Sequence, residues 1–267
     1  STVLLDLARQ VCPDIPAVYV DTGLEYPELR DFVKTKDNVI WLLPRYPYTQ
    51  ILEKYGYPVI SKDISDVISG ARKGQPYRLA RLNGESLDKN GKKSIYNCEK
   101  YKYLLDAPFA ISARCCYYMK KAPLNKFERQ SGRHPITGVL ACESKLREQS
   151  YLKFGCNGYE RRRPLSQPLA FWREEDILRY LRMTGIPYTP IYGDIGEVKK
   201  RNGALTLKTT GVSRSGCMYC MYGVHLEHEP NRFQLMEKTH PQQYHYCIHE
   251  LGLGAVLDYI GVPYSCR

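Results

Sequence analysis

The apolar positions of this chain alternate between helical spacing and short unbroken β-rich runs. Residues 1–9 read as a helix capped by Ser1. Residues 15–20 form an apolar run that predicts a buried strand, with Asp21-Thr22-Gly23 at its C-terminal end. Residues 27–33 read as a helix and residues 38–43 as the next strand. Residues 135–140 predict another buried strand, leading into a polar turn or helix start at 142–147. Over 173–184, Ile177, Leu178 and Leu181 fall on one helical face, and Gly185 and Pro187 end the helix. Short helices are expected around 233–236 and 255–260. This alternation predicts an α/β fold, a twisted parallel sheet flanked by helices. Ligands of such sheets bind beyond the strand C-termini, which is where Asp21, Thr22 and Gly23 would stand.

Residues 70–103 break that rhythm. Gly70, Gly74, Gly84 and Gly91 punctuate a basic stretch with Arg72, Lys73, Arg78, Arg81, Lys92 and Lys93, read as an inserted lid or a solvated loop. The expected division is an α/β domain over 1–200, holding this insertion and Cys115-Cys116, with a helical C-terminal cap over 201–267. With 267 residues and 43% hydrophobic content, a sizeable core can form. No apolar stretch approaches the roughly 20 residues of a membrane span, and no signal peptide is recognisable. A net charge of +11 favours a polyanionic ligand, a nucleotide or a nucleic acid. The 23 tyrosines are spread along the whole chain.

Candidate chemistry centres on the cysteines. Cys115 and Cys116 are adjacent, and Cys217-Met218-Tyr219-Cys220 lies 102 residues further on. Neighbouring cysteines make a poor disulfide, whereas two short clusters joined across a fold supply four thiolates to zinc or to an iron–sulfur cluster. Such reduced, metal-bound thiols without a secretory signal predict a cytoplasmic protein. Gly23 would let the backbone approach a ligand, and Asp21 could orient a ribose or a metal-bound phosphate. Glu143, Ser144 and Arg147 could grip a ribose and an oxyanion, arginine through its bidentate fork. Lys62, after Pro58-Val59-Ile60-Ser61, is a candidate anion contact. Arg161-Arg162-Arg163 could meet phosphate or form a solvated turn. The histidines of the tail match no metal-binding spacing.

These residues resemble the phosphoadenosine phosphosulfate (PAPS) reductase family, of the adenine-nucleotide α-hydrolase-like superfamily. Ser1-Thr2-Val3-Leu4-Leu5 looks like the end of the family's Ser-Gly-Gly-x-Asp-Ser loop and the start of its helix. Residues 19–28 are close to the second signature, and residues 138–147 to its glycine-strand-Glu-Ser-x-x-Arg stretch. Residues 168–172 and Ile186-Pro187-Tyr188 are also similar. The CC…CxxC pattern is similar to the [4Fe-4S] ligands of the adenylyl-sulfate-reducing branch. The resemblance implies that Ser1, Asp21, Thr22, Gly23, Lys62, Gly138, Glu143, Ser144 and Arg147 bind nucleotide, and that Cys115, Cys116, Cys217 and Cys220 hold the cluster, zinc being the alternative. The opening at Ser1 predicts that the rest of the phosphate loop precedes it in the natural protein. The family's C-terminal Glu-Cys-Gly-x-His motif is missing, and Cys266, beside Arg267, is read as a candidate nucleophile or a bystander thiol. The expected function is an adenine-nucleotide-dependent iron–sulfur enzyme of sulfur metabolism, using PAPS or adenosine phosphosulfate (APS) with a thiol donor such as thioredoxin. Alternatives are an ATP pyrophosphatase-type enzyme that activates a nucleic acid or other acceptor for sulfur insertion, and a non-catalytic nucleic-acid-binding module stapled by zinc.

Overall fold

A computed structural model describes every residue except Arg162, Ser213, Arg214 and Arg267. In chain order its elements begin α1 (Thr2–Val11), β1 (Ala17–Val20), α2 (Pro27–Lys34) and β2 (Val39–Leu42). There follow α3 (Tyr48–Tyr55), β3 (Val59–Ile60), α4 (Lys62–Ala71) and α5 (Pro76–Asn83). A 3-10 segment, Glu99–Asp106, and a π turn, Tyr117–Lys121, precede α6 (Ala122–Ser131) and α7 (Lys145–Phe154). Next come β4 (Asn157–Gly158), β5 (Leu165–Ser166), α8 (Glu174–Thr184), β6 (Ile195–Lys199) and β7 (Leu205–Thr209). The chain closes with β8 (Met221–Tyr222), α9 (Arg232–Thr239), α10 (Pro241–His245) and α11 (Leu253–Tyr259). The protein is thus mixed α/β, and it divides into two compact units, each assembled from three chain segments.

The first unit comprises Ser1–Asp21, Glu25–Leu42 and Leu124–Ser215. Its core is the meeting of the apolar face of α1 (Val3, Leu4, Leu7) with Leu178 and Leu181 of α8, closed by Leu140, Leu169 and Leu207. Tyr180 of α8 donates to Asp6 of α1 at 2.6 Å, a polar clasp at the rim of that apolar seam. β1 and β2 pair in parallel with Val18 opposite Ile40, and the Asp21 N–H extends the ladder to the Leu42 carbonyl. The strands fall where the apolar runs predict them, but neither is fully buried. Val18 is 37% and Trp41 38% exposed; Val18 pairs with Ile40 and Trp41 with Tyr19, so the two stand on opposite faces and neither face of this two-stranded ribbon is fully covered.

Two further departures belong to this unit. Residues 135–140 form no strand: Thr137 N–H bonds the Ser166 carbonyl, Ile136 makes a single bridge to Ser166, and Pro135 has no N–H to extend it. An antiparallel hairpin, β6–β7, appears where no element is expected from the apolar pattern. Its turn, Lys200 to Ala204, carries Asn202-Gly203 with Gly203 at φ 83°, a recognised hairpin signal.

The second unit comprises Thr22–Leu24, Leu43–Pro123 and Gly216–Arg267. Here β3 pairs in parallel with β8, Val59 opposite Met221, although 162 residues separate them in sequence. Every sheet among the described residues has two strands, so the parallel pairing is present as short pieces. α4 packs on β3, on α5 and on the 3-10 segment, burying Val67, Ile68, Leu82 and Leu104. The basic stretch 70–103 thus contains α5 and the start of the 3-10 segment. Arg72 donates to four carbonyls at the end of the 3-10 segment, those of Leu104, Leu105, Ala107 and Phe109.

Candidate active site and thiol centre

All four cysteines of the CC and CxxC pairs lie in the second unit. Cys115 and Cys116 open the helix that continues through the π turn into α6. The Cys217–Cys220 turn is closed by Cys220 N–H on the Cys217 carbonyl at 3.2 Å. Met218 N–H anchors it to the Leu24 carbonyl at 2.8 Å, and Arg232 Nη1 holds the Cys220 carbonyl at 2.9 Å. β8 follows at once, so its pairing with β3 fixes the turn beside Ser61, the N-cap of α4, and Lys62.

The thiols act on one another. Cys115, 8% exposed, donates to Cys116 Sγ at 4.0 Å. That hydrogen bond, then burial, then the charges of Cys116, Cys220 and Cys217, push the Cys115 thiol far up. Cys116 is drawn down to about 6, first by the Cys115 donor and, among charges, by Lys62, Lys120 and Lys121. Burial raises Cys220, opposed by the Tyr222 N–H on its sulfur and by Arg232. Tyr48 and Tyr222 are both raised, by burial first and then by the same cysteines. The four thiols thus share one electrostatic neighbourhood, with three lysines placed to offset thiolate charge. Among the described residues no three His, Cys, Asp or Glu side chains converge tightly enough to hold a single ion. The donor chemistry fits a thiolate-held centre, since four cysteines, backbone N–H donors and cations are what an anionic metal–sulfur group requires. Tyr48, Lys120 and Lys121 were missed by the sequence reading. Nothing marks Tyr48 among 23 tyrosines, whereas the two lysines lie within one helical turn of Cys116.

The other predicted residues are distributed over both units. In the first, a Cβ added to Gly138 would lie 3.6 Å from the Ser1 backbone nitrogen and 3.6 Å from Leu4, so the Gly138 loop abuts the N-terminus of α1. Asp21 is buried at the end of β1 and accepts from Arg30 of α2 at 2.8 Å. Glu143 ion-pairs with Arg147 and accepts from Leu140 N–H at 3.2 Å, and Ser144 caps α7 through the Arg147 N–H. A cavity of about 210 Å³ lies beside them, lined by Val139, Ala141, Arg147, Ser150, Tyr151 and Gln167. In the second unit, Thr22 Oγ1 accepts from Leu24 N–H at 3.2 Å, and Gly23 takes φ 71°, which a side chain rarely tolerates. Cys266 donates its thiol to the Gln234 carbonyl at 3.6 Å, and its N–H bonds Glu237. Arg267, paired with it in the sequence reading, lies outside the described residues, as does Arg162. Arg161 donates to Ser150 and stacks on Phe154, and Arg163 ion-pairs with Glu128, so both make internal contacts.

Another cavity, of about 390 Å³, lies on α8 and the β6–β7 hairpin. Its two arginines are each matched by a carboxylate, Arg179 by Glu175 at 2.7 Å and Arg182 by Glu197 at 3.0 Å. It therefore offers a nucleotide no unbalanced charge.

Residues 96–221, a span enclosing all four cysteines and the segment from Gly138 to Arg147, match the phosphoadenosine phosphosulfate reductase domain. Over that span, just under half of its length, the chain is similar to the PAPS reductase family. An adenosine 5'-phosphosulfate reductase of Staphylococcus epidermidis is 26% identical over 199 residues, covering 72% of this chain and 60% of that protein. One from Geobacillus kaustophilus is 28% identical over 196 residues, covering 71% of this chain and 62% of that protein. The matches thus span about three fifths of the length of these relatives. Among the described residues no helix is long and apolar enough to cross a membrane.

Proposed function

We propose that this protein is a sulfonucleotide reductase-like enzyme that acts on APS or PAPS in sulfur metabolism, with Cys115, Cys116, Cys217 and Cys220 holding a [4Fe-4S] cluster. The observation that carries the reading is that four cysteines, all inside the span matching the reductase domain, act on one another in one lysine-flanked neighbourhood.

In this reading the adenine nucleotide lies at the first unit's strand ends. Asp21 is held by Arg30 and orients the ribose, while the Gly138 loop lies against the α1 N-terminus, where backbone N–H groups and the helix dipole favour phosphate. Arg147 would exchange its intramolecular partner, Glu143, for the oxyanion of the substrate. Lys62, Lys120 and Lys121 stabilise anionic sulfur chemistry beside the thiols. A bound cluster would supply a fixed, tunable potential beside the lysines of the second unit. The reduction itself is a two-thiol exchange. A thiolate attacks the sulfonucleotide sulfur, the S–O bond to phosphate breaks, and AMP or its 3'-phosphate leaves. A second thiol, from a donor such as thioredoxin, then attacks the sulfur of the enzyme cysteine, releasing sulfite and leaving a disulfide. Cys266 is the candidate for the first thiolate.

The second reading, an ATP pyrophosphatase-type enzyme that activates an acceptor for sulfur insertion, is favoured by the net charge of +11, which suits a nucleic-acid acceptor. The deciding experiment offers APS, PAPS and ATP in turn, with dithiothreitol, to anaerobically purified protein. Sulfite from APS or PAPS, abolished in Cys266→Ser and reduced in Gly138→Ala, is the expected result. Pyrophosphate from ATP with no sulfite would overturn it in favour of the second reading. Gly138→Ala is informative because its new methyl would make only ordinary contacts at 3.6 Å, so a loss of turnover reports on the nucleotide and not on folding.

A further inference from the structure

Next to the thiols, the second unit gathers four tyrosines that its core does not use. Tyr55 and Tyr118 stack, with ring centroids 4.6 Å apart and an interplanar angle of 15°, and their hydroxyls hydrogen-bond at 2.8 Å. Tyr117 stands edge-on to Tyr118 at 5.2 Å, and Tyr46 packs edge-on against it at 6.4 Å. Tyr117 is 44% exposed and the other three are half-buried. Cations surround the group: Arg45 lies over the Tyr46 ring at 5.2 Å, Lys54 over Tyr55 at 5.6 Å, and Arg114 acts on the Tyr118 hydroxyl. Arg45, Lys54 and Arg114 are themselves exposed.

We propose that Tyr46, Tyr55, Tyr117 and Tyr118, with Arg45, Lys54 and Arg114, form a binding platform for single-stranded nucleic acid. Exposed aromatic rings beside a basic track bind single strands because every base offers a π face and every linkage a phosphate. A duplex keeps its bases stacked and withholds those faces. An acidic protein could also use the cations and pack against the rings, but a single strand engages both along its whole length, a base on each ring and a phosphate on each cation. The Tyr55–Tyr118 pair occupies its own inner faces, so Tyr117 and Tyr46 are the rings available to bases, with the pair holding them in place. The chain's net charge of +11 adds long-range attraction for such a ligand. The proposal is independent of nucleotide turnover: a protein that releases neither sulfite nor pyrophosphate can still bind through this surface.

The test is fluorescence anisotropy of a labelled 15-residue oligothymidylate with the whole protein, from 25 to 200 mM salt and without added nucleotide. A 15-base-pair duplex, heparin and polyglutamate serve as competitors. Expected are tighter binding of the single strand than of the duplex and about tenfold weaker binding in Tyr117→Ala. Tyr117→Phe, which keeps the ring, should bind close to the native level. The double variant Arg45→Ala/Lys54→Ala should flatten the log–log salt slope by about 1.4, or 0.7 per lost phosphate contact. Should Tyr117→Ala fail to fold, Arg114→Ala, at an exposed position, is expected to weaken binding and flatten the slope by about 0.7. Equal affinity for polyglutamate would overturn the proposal in favour of an acidic protein partner. Unchanged affinity in a folded Tyr117→Ala, or no binding at 25 mM salt, would overturn it outright.

Discussion

Arg81 is a buried arginine that joins α5 to α4 and to the loop that follows α5. It is 4% exposed, and its guanidinium meets Asp63 at 3.0 and 2.6 Å and the Tyr96 carbonyl at 2.7 Å. The pair ties α5 to the first turn of α4, where Lys62 faces the Cys116 thiol, so a salt bridge remote from the chemistry helps to aim a cation at it. Asp63→Asn would leave a buried guanidinium without a counter-charge. Because the Asp63 side chain is 57% exposed, solvent screening discounts the loss to about 1–2 kcal/mol. The Arg81 hydrogen bond holds the Asp63 carboxyl below its ordinary value of 3.8. A carboxyl depressed in the folded state contributes its stability in full above 3.8 and loses it as pH falls through the lower folded value. Urea unfolding should therefore show native protein and Asp63→Asn separated at pH 7 and 5 and converging below pH 3.8. A gap that stayed constant into acid would mean that the substitution acts through packing and not through charge.

At the scale of elements, the chain's route into Cys115 is set by one glycine. α3 ends at Gly56, whose φ of 90° lets Tyr57 turn and exchange hydrogen bonds with Ala110 and Ser112. A Cβ on Gly56 would stand 2.1 Å from the Ala110 carbonyl oxygen, a contact that backbone cannot yield. Gly56→Ala is expected to cost about 2–4 kcal/mol, strain in φ adding to the clash, as a lowered midpoint of chemical denaturation. A midpoint within error of the native value would show that the 57–111 bridge is dispensable. Elements with strong periodicity or a clear cap were legible in advance: α1, α2 and α8 lie within two residues of expectation, and Gly185 closes α8 in the left-handed conformation. The β6–β7 hairpin was missed because attention to apolar runs passed over its Asn202-Gly203 turn. The β3–β8 pairing had no local signal to read, since two-residue strands brought together over 162 positions carry no periodicity.

For the whole molecule, the cysteine pattern revealed the members of the thiol centre but not its surroundings. Spacing identifies Cys115, Cys116, Cys217 and Cys220, whereas the burial of Tyr48 among them and the lysines that depress Cys116 depend on tertiary packing. A metal–thiolate centre bound there would connect segments 102 residues apart within one unit, so its binding energy would be added to that unit's stability. Protein purified without oxygen should carry about four irons and four acid-labile sulfides per chain, with broad visible absorption. Removal by oxidation and chelation, or the Cys217→Ser substitution, should abolish the absorption and lower Tm by about 5 °C or more. Cys12→Ser is the matched control, since Cys12 is exposed and belongs to the first unit; it should retain both metal and Tm. One zinc per chain and no sulfide would instead make the four cysteines a structural staple. The same Tm loss on metal removal would then persist, while the case for sulfonucleotide reduction at a cluster would fall.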